Sequence, residues 1–147
     1  MKFLNALFVL MLIGGTCVFA QNTNSKNQKV WRVSEAYAVL VKEKAKAKGD
    51  LYEAEHKFTA ETPQVKTAVL RLALFNREIK KLSRTNARNA VKYSATYGDL
   101  ILAKIQTEAE LFELRQKFTP EYITVKKKEV ELQSLNNDLR QINKSFR

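Results

Sequence analysis

The strongest constraint on this chain is that it repeats itself. Leu51-Tyr-Glu-Ala-Glu-His-Lys-Phe-Thr-Ala-Glu-Thr-Pro-Gln-Val-Lys66 returns sixty residues later as Leu111-Phe-Glu-Leu-Arg-Gln-Lys-Phe-Thr-Pro-Glu-Tyr-Ile-Thr-Val-Lys126. Residues 34–82 laid on 94–142 without a gap share fourteen identities, among them Ser34, Tyr37, Leu40, Lys44, Leu72 and Asn76. Unrelated sequences of that length share about three at average residue usage. The fold must therefore be buildable from one unit used twice.

That unit is helical. From Val30 onward the chain holds only two glycines, Gly49 and Gly98, and two prolines, Pro63 and Pro120, and is rich in Ala, Leu, Glu, Lys and Gln. Both prolines fall inside the repeated motif, so helix-breaking chemistry is concentrated at two points. Val33, Tyr37, Leu40, Lys44, Ala47, Leu51, Ala54 and Phe58 alternate spacings of four and three, as do Tyr93, Tyr97, Leu100, Lys104, Thr107, Leu111, Leu114 and Phe118. This is the seam of a coiled-coil-like helix. It resumes beyond each Phe-Thr as Ala68, Leu72, Phe75, Ile79 and Leu82, and as Leu132, Leu135, Leu139, Ile142 and Phe146.

Between the two stretches of seam in each copy, the chain must turn. In the first copy Thr62 is placed to cap a helix opened by Pro63, whose fixed φ suits the first helical position and which has no amide hydrogen to leave unpaired. In the second, Thr119 and Pro120 are expected to do the same. The sequence thus predicts an all-α protein of two tandem helical hairpins, residues 30–83 and 93–147, joined by a polar segment 84–92. A lone two-helix hairpin leaves its apolar face wet, so the pair should pack together, within the chain or between chains, most simply as an antiparallel four-helix bundle, with an elongated helical oligomer as the alternative.

The hairpin tips carry a resemblance to a known family. Phe58-Thr59-Ala60-Glu61-Thr62-Pro63-Gln64-Val65 and Phe118-Thr119-Pro120-Glu121-Tyr122-Ile123-Thr124-Val125 resemble the aromatic-Thr-Pro-Glu-x-Pro-x-Val turn of the periplasmic coiled coil in polysaccharide chain-length determinant proteins. The resemblance implies a periplasmic hairpin whose tip residues are Phe58, Thr59, Glu61, Pro63, Val65, Phe118, Thr119, Pro120, Glu121 and Val125. The first copy departs by Ala60 and the second by Ile123, each where the family has a proline. That family's transmembrane helices and α/β domain have no counterpart in this chain, so regulation of a membrane polymerase is not implied.

The N-terminus reads as a secretory signal over residues 1–20: Lys2, then an apolar run from Phe3 to Ile13 broken only by Asn5, then Val18-Phe19-Ala20 with small residues suited to cleavage before Gln21. The run is short for a membrane span, and none is expected after cleavage. Cys17 is the only cysteine, and Gly14 stands where a lipid-attachment motif has an aliphatic residue, so ordinary cleavage is expected. The mature chain would then hold no cysteine, which excludes disulfides and thiolate metal sites. Residues 21–29 are polar and read as a leader.

Cleavage removes one lysine and no acid, leaving 25 basic against 15 acidic side chains, a net charge of +10. A periplasmic or secreted chain so basic suits anionic partners, an anionic polymer among them, while nucleic acid is not expected in that compartment. Lys80, Lys81, Arg84, Arg88 and Lys92 place five cations within thirteen residues with no acid among them, and are candidates for anion binding.

Lys44 and Lys104 occupy a seam position where an apolar side chain is expected. Folding each hairpin about its tip sets Glu78 opposite Lys44 and Asp138 opposite Lys104, with Asn76 and Asn136 nearby. These six form a candidate polar layer, a device that fixes register and partner at a cost in stability. His56 is the only histidine and becomes Gln116 in the second copy, so it reads as a solvated helix residue. No Ser-His-Asp or Cys-His set, phosphate-binding glycine loop or carboxylate pair can be assembled, and neither catalysis, a metal nor a cofactor is expected.

The sequence reading is therefore an exported, non-enzymatic helical structural or interaction module of the cell envelope, acting on a protein partner or on itself through its seams. Two alternatives stand beside it. One is a holdase-like periplasmic chaperone, which the chain resembles in size, charge and compartment. The other is a binder of anionic envelope polysaccharide.

Overall fold

The computed structural model describes residues 34–84 and 92–146. The signal segment 1–20, the leader 21–29, Val33 and Arg88 lie outside the described residues. Four helices form among the described residues: α1 Glu35–Lys57, α2 Pro63–Ser83, α3 Ala95–Lys117 and α4 Ile123–Ser145. No strand occurs among the described residues, and no described helix is long and apolar enough to cross a membrane.

The repeat is visible in backbone detail. Ser34 Oγ accepts a hydrogen bond from the Tyr37 amide at 3.2 Å and starts α1; Ser94 Oγ accepts from the Tyr97 amide at 3.3 Å and starts α3. Each bond satisfies one of the amides that a helix start leaves unpaired. Both helices run 23 residues and end at an extended phenylalanine, Phe58 at φ −136°, ψ 158° and Phe118 at φ −135°, ψ 154°.

The two tips then fold alike around different prolines. The Thr62 amide bonds the Thr59 carbonyl at 3.0 Å, and the Tyr122 amide bonds the Thr119 carbonyl at 3.1 Å. With no positive φ among the described residues, these i to i+3 closures belong to the type I family. Pro63 stands at the first position of α2, as its geometry favours, but the expected Thr62 cap does not form: Thr62 holds the position before the helix and its hydroxyl donates to the Thr59 carbonyl at 2.9 Å. The expectation that Thr119 caps and Pro120 opens the second descending helix is corrected: α4 begins at Ile123 with Tyr122 before it, and Pro120 occupies the turn. Pro120 follows the turn's first residue, the other site where φ near −65° fits, so each copy fills one of two proline-compatible positions. Val65 and Val125, 4% and 0% exposed, anchor the returning helices beneath the turns.

The four helices form an all-α bundle in up-down-up-down order, but they do not share contacts evenly. α1 packs on α2 and α3, α2 packs on α3, and α4 packs substantially only on α3. α3 is the hub. Its seam residues are joined by Ile101, Ile105 and Ala109, spaced four apart on a second stripe, all at most 3% exposed. The equivalent positions in α1 are Val41, Ala45 and Gly49, which are exposed.

The hub is held at its start by the first repeat. The Ala36 amide donates to the Tyr93 carbonyl at 3.2 Å, and the Ala95 amide donates to the Glu35 carboxylate at 2.9 Å. That carboxylate also sits at the positive end of the α3 dipole. Gly98 permits the approach: a Cβ there would lie 2.9 Å from the Ala36 Cα and 3.2 Å from the Val39 Cβ. Beneath this junction Leu40, Ala47, Leu74, Phe75, Leu82 and Ile105 form the core, each large apolar side chain contributing about 1.5–3 kcal/mol.

Candidate functional site

Because α4 leans on α3 alone, one flank of the bundle stays open as a groove along α4. Near the joint end its cavity is about 330 Å³, walled by α2 and α4 and floored by Tyr97, Ile101 and Lys104 of α3. Toward the tips a second cavity of about 460 Å³ lies between Leu111 and Arg115 of α3 and Leu132 and Gln133 of α4. Asn136 and Arg140 border both, so the two adjoin along α4. From Tyr97 to Arg115 the groove follows about 27 Å of helix at 1.5 Å per residue.

The polar layer is real on one side only, and it pairs across hairpins rather than within them. Lys104, its side chain 9% exposed, donates to Glu78 Oε1 of α2 at 3.0 Å and lies 3.6 Å from Glu108. Arg77 spans the same two acids, 3.1 Å from Glu78 and 2.7 Å from Glu108, and Lys81 reaches Glu78 at 3.0 Å. Burial is the largest influence on the Glu78 carboxyl and pushes its pKa up, but Lys81 and Lys104 together outweigh it and hold it below the ordinary glutamate value. Three cations thus surround two acids, and burial without such partners would be prohibitive.

The other members of the expected layer stand elsewhere. Lys44 is half-buried beside Tyr37 and Ile79, and has no ion-pair partner among the described residues. Asn76 and Asp138 are exposed, and Asn136 is half-buried on the groove wall. The expected pairing of Lys104 with Asp138 fails because the hub position of α3 turns Lys104 toward α2. Arg77 and Glu108 went unnoticed in the sequence; the signal was Glu108 four residues after Lys104 and Arg77 beside Glu78.

At the joint end the groove closes on aromatic rings. Tyr93 and Tyr97 are 4.6 Å apart between centroids, and Phe146 packs edge-on to Tyr93 at 5.2 Å. Both hydroxyls donate to Asn143 Oδ1, at 3.4 and 3.1 Å, while Asn143 Nδ2 donates to the Leu139 carbonyl at 2.8 Å. Burial pushes the Tyr97 phenol up, with the Asn143 bond working against it.

The basic joint is partly absorbed by this end: Lys81 serves Glu78, and Lys92 Nζ sits 5.8 Å over the Phe146 ring. Lys80 and Arg84 are exposed. His56 donates from Nδ1 to the Tyr52 carbonyl at 2.8 Å and packs against the Tyr52 ring at a tilt of 38°, a local arrangement on an exposed helix face.

Register in the second hairpin is fixed by Arg115–Glu129 at 2.7 Å, Lys128–Glu110 at 2.7 Å and Thr107–Glu131 at 3.2 Å. These contacts leave the seam leucines Leu132 and Leu135 half-buried and Val130 67% exposed. What the arrangement offers is adhesion: a floor that mixes the apolar Ile101 and Leu111 with the paired Lys104, and at its edge Arg140, which has no partner among the described residues. Comparison with family models, curated proteins and solved structures found no match.

Proposed function

We propose that this chain is an exported, non-enzymatic helical interaction module of the cell envelope, and that the groove along α4 is where it receives a helical segment of a protein partner. The observation that carries the reading is the unequal packing of α4. An equally shared bundle would cover Leu132 and Arg140, whereas here they border a groove long enough for about five helical turns. Helix-in-groove recognition uses such a surface, with apolar anchors for affinity and flanking charge for orientation. The fitting partner helix carries an apolar stripe flanked by acids that meet Arg140. The resemblance of both tips to those of chain-length determinant proteins supports an envelope setting for such a hairpin.

Site-specific photo-crosslinking in the producing cell tests this. A photoreactive side chain at Asn136 is expected to yield a discrete adduct, and one at Glu55 on the exposed face of α1 none. An adduct of twice the chain mass would identify a second copy as the partner. A broad ladder of adducts from Asn136 would favour the holdase reading. Equal adducts from both positions, or none from either, would refute the groove.

A further inference from the structure

The two tips share a backbone and differ in what they show to solvent. In the second, Phe118 and Tyr122 stack at 4.4 Å with 7° between ring planes, and are 40% and 46% exposed. Ile123 beside them is 74% exposed. Between residues 117 and 127 stand Lys117, Lys126 and Lys127 against the single acid Glu121, and none of the three lysines has an ion-pair partner among the described residues. In the first tip Thr62 and Pro63 take the places of Tyr122 and Ile123. Its cations are also neutralised, Lys57 by Glu53 and Lys66 by Glu61 at 3.2 Å.

We propose that the second tip, but not the first, is a docking element for an anionic lipid surface. A stacked aromatic pair with an isoleucine at a convex turn has no concave wall to receive a folded partner, whereas a lipid interface deforms around it. Aromatic rings settle at the headgroup level, and an aliphatic side chain gains by leaving water. Lysines at the base of the turn keep their charge at the phosphate layer while their stems lie along the apolar side chains. Each cation near an anionic leaflet strengthens binding about fivefold. The same charge makes two such tips repel, which disfavours tip-to-tip pairing of copies.

The test places a reporter on the turn of the full chain. The only tryptophan is Trp31, so Trp31→Phe with Tyr122→Trp leaves emission that reads the tip alone, however the rest of the chain meets a vesicle. Emission is expected to shift to shorter wavelength on vesicles of phosphatidylglycerol mixed with phosphatidylcholine, to stay unchanged on phosphatidylcholine alone, and to return on adding salt. Lys126→Gln with Lys127→Gln should raise the lipid needed for a half-maximal shift about 25-fold. Ile123→Pro borrows the residue that the first tip carries on the same backbone, and should weaken binding without unfolding the turn. No shift on anionic vesicles, an equal shift on neutral ones, or indifference to the lysine substitutions would overturn the proposal.

Discussion

The two hairpins began from one sequence, and comparing them separates what a local sequence dictates from what a neighbour imposes. The backbone features governed within a few residues are duplicated: the serine caps, the extended phenylalanines, the closed turns and the buried valines beneath them. Everything governed by position in the bundle has diverged. α1 shows one buried stripe, while its copy α3 is buried on several sides; α2 is a core helix, while its copy α4 buries only Val125 and Leu139. The unit that became the hub acquired Ile101, Ile105 and Gly98, and the unit at the edge kept a half-covered seam.

The sharpest way to break this comparison is to cut the same position in both copies. Phe75, 2% exposed, corresponds to the half-buried Leu135. Phe75→Ala should cost about 4 kcal/mol in denaturant unfolding and Leu135→Ala about 1 kcal/mol. Comparable losses would mean that α4 is as firmly held as α2.

The seam lysines give the next effect. Lys104→Leu removes one of three cations from buried Glu78 and should cost about 2 kcal/mol, since Arg77 and Lys81 remain. Lys44→Leu, with no ion pair to lose, should change stability by less than about 0.5 kcal/mol. Acid unfolding sharpens the same point. The folded Glu78 pKa lies below its unfolded value, so its contribution is complete above the unfolded value of about 4.3 and is lost as pH falls through the folded one. The stability gap between the native chain and Glu78→Gln should therefore shrink below about pH 4.

Two glycines follow. Gly98→Ala presses a methyl group onto the Ala36 backbone and should destabilise by about 1–2 kcal/mol net of the helix preference of alanine. Gly49→Ala, with nothing within 4 Å of the added Cβ, should stabilise by about 1 kcal/mol, read as a rise in melting temperature. The smallest contrast is an expected equality: Ser34→Ala and Ser94→Ala should each cost about 1 kcal/mol, because the two caps are the same motif.

The helices, the hairpin order and the place of each turn were legible in the sequence because each rests on local chemistry, heptad spacing and proline, whereas the caps expected of Thr62 and Thr119 did not form. Which helix becomes the hub was also written, though less openly. Ile101, Ile105 and Ala109 add an off-seam stripe that Val41, Ala45 and Gly49 lack, and a comparison of the copies off the seam exposes it. The partner of Lys104 was not legible. Folding each hairpin on itself sets Lys104 toward Asp138, and only the placement of α3 between α2 and α4 brings Glu78 to it instead. The groove was illegible for a related reason, since it comes from the absence of a second packing neighbour for α4, which no seam pattern encodes.

Native-state hydrogen exchange on the full chain measures most directly whether α4 is the loosely held wall of an open groove. Interior amides of α1, α2 and α3 should exchange only by global unfolding and so share one opening free energy. Those of α4 from Val130 to Asn137 should open several kcal/mol more easily, through detachment of that helix alone. Protection in α4 equal to that in α2 would contradict the account, because it would mean that the edge helix is as well buried as the core.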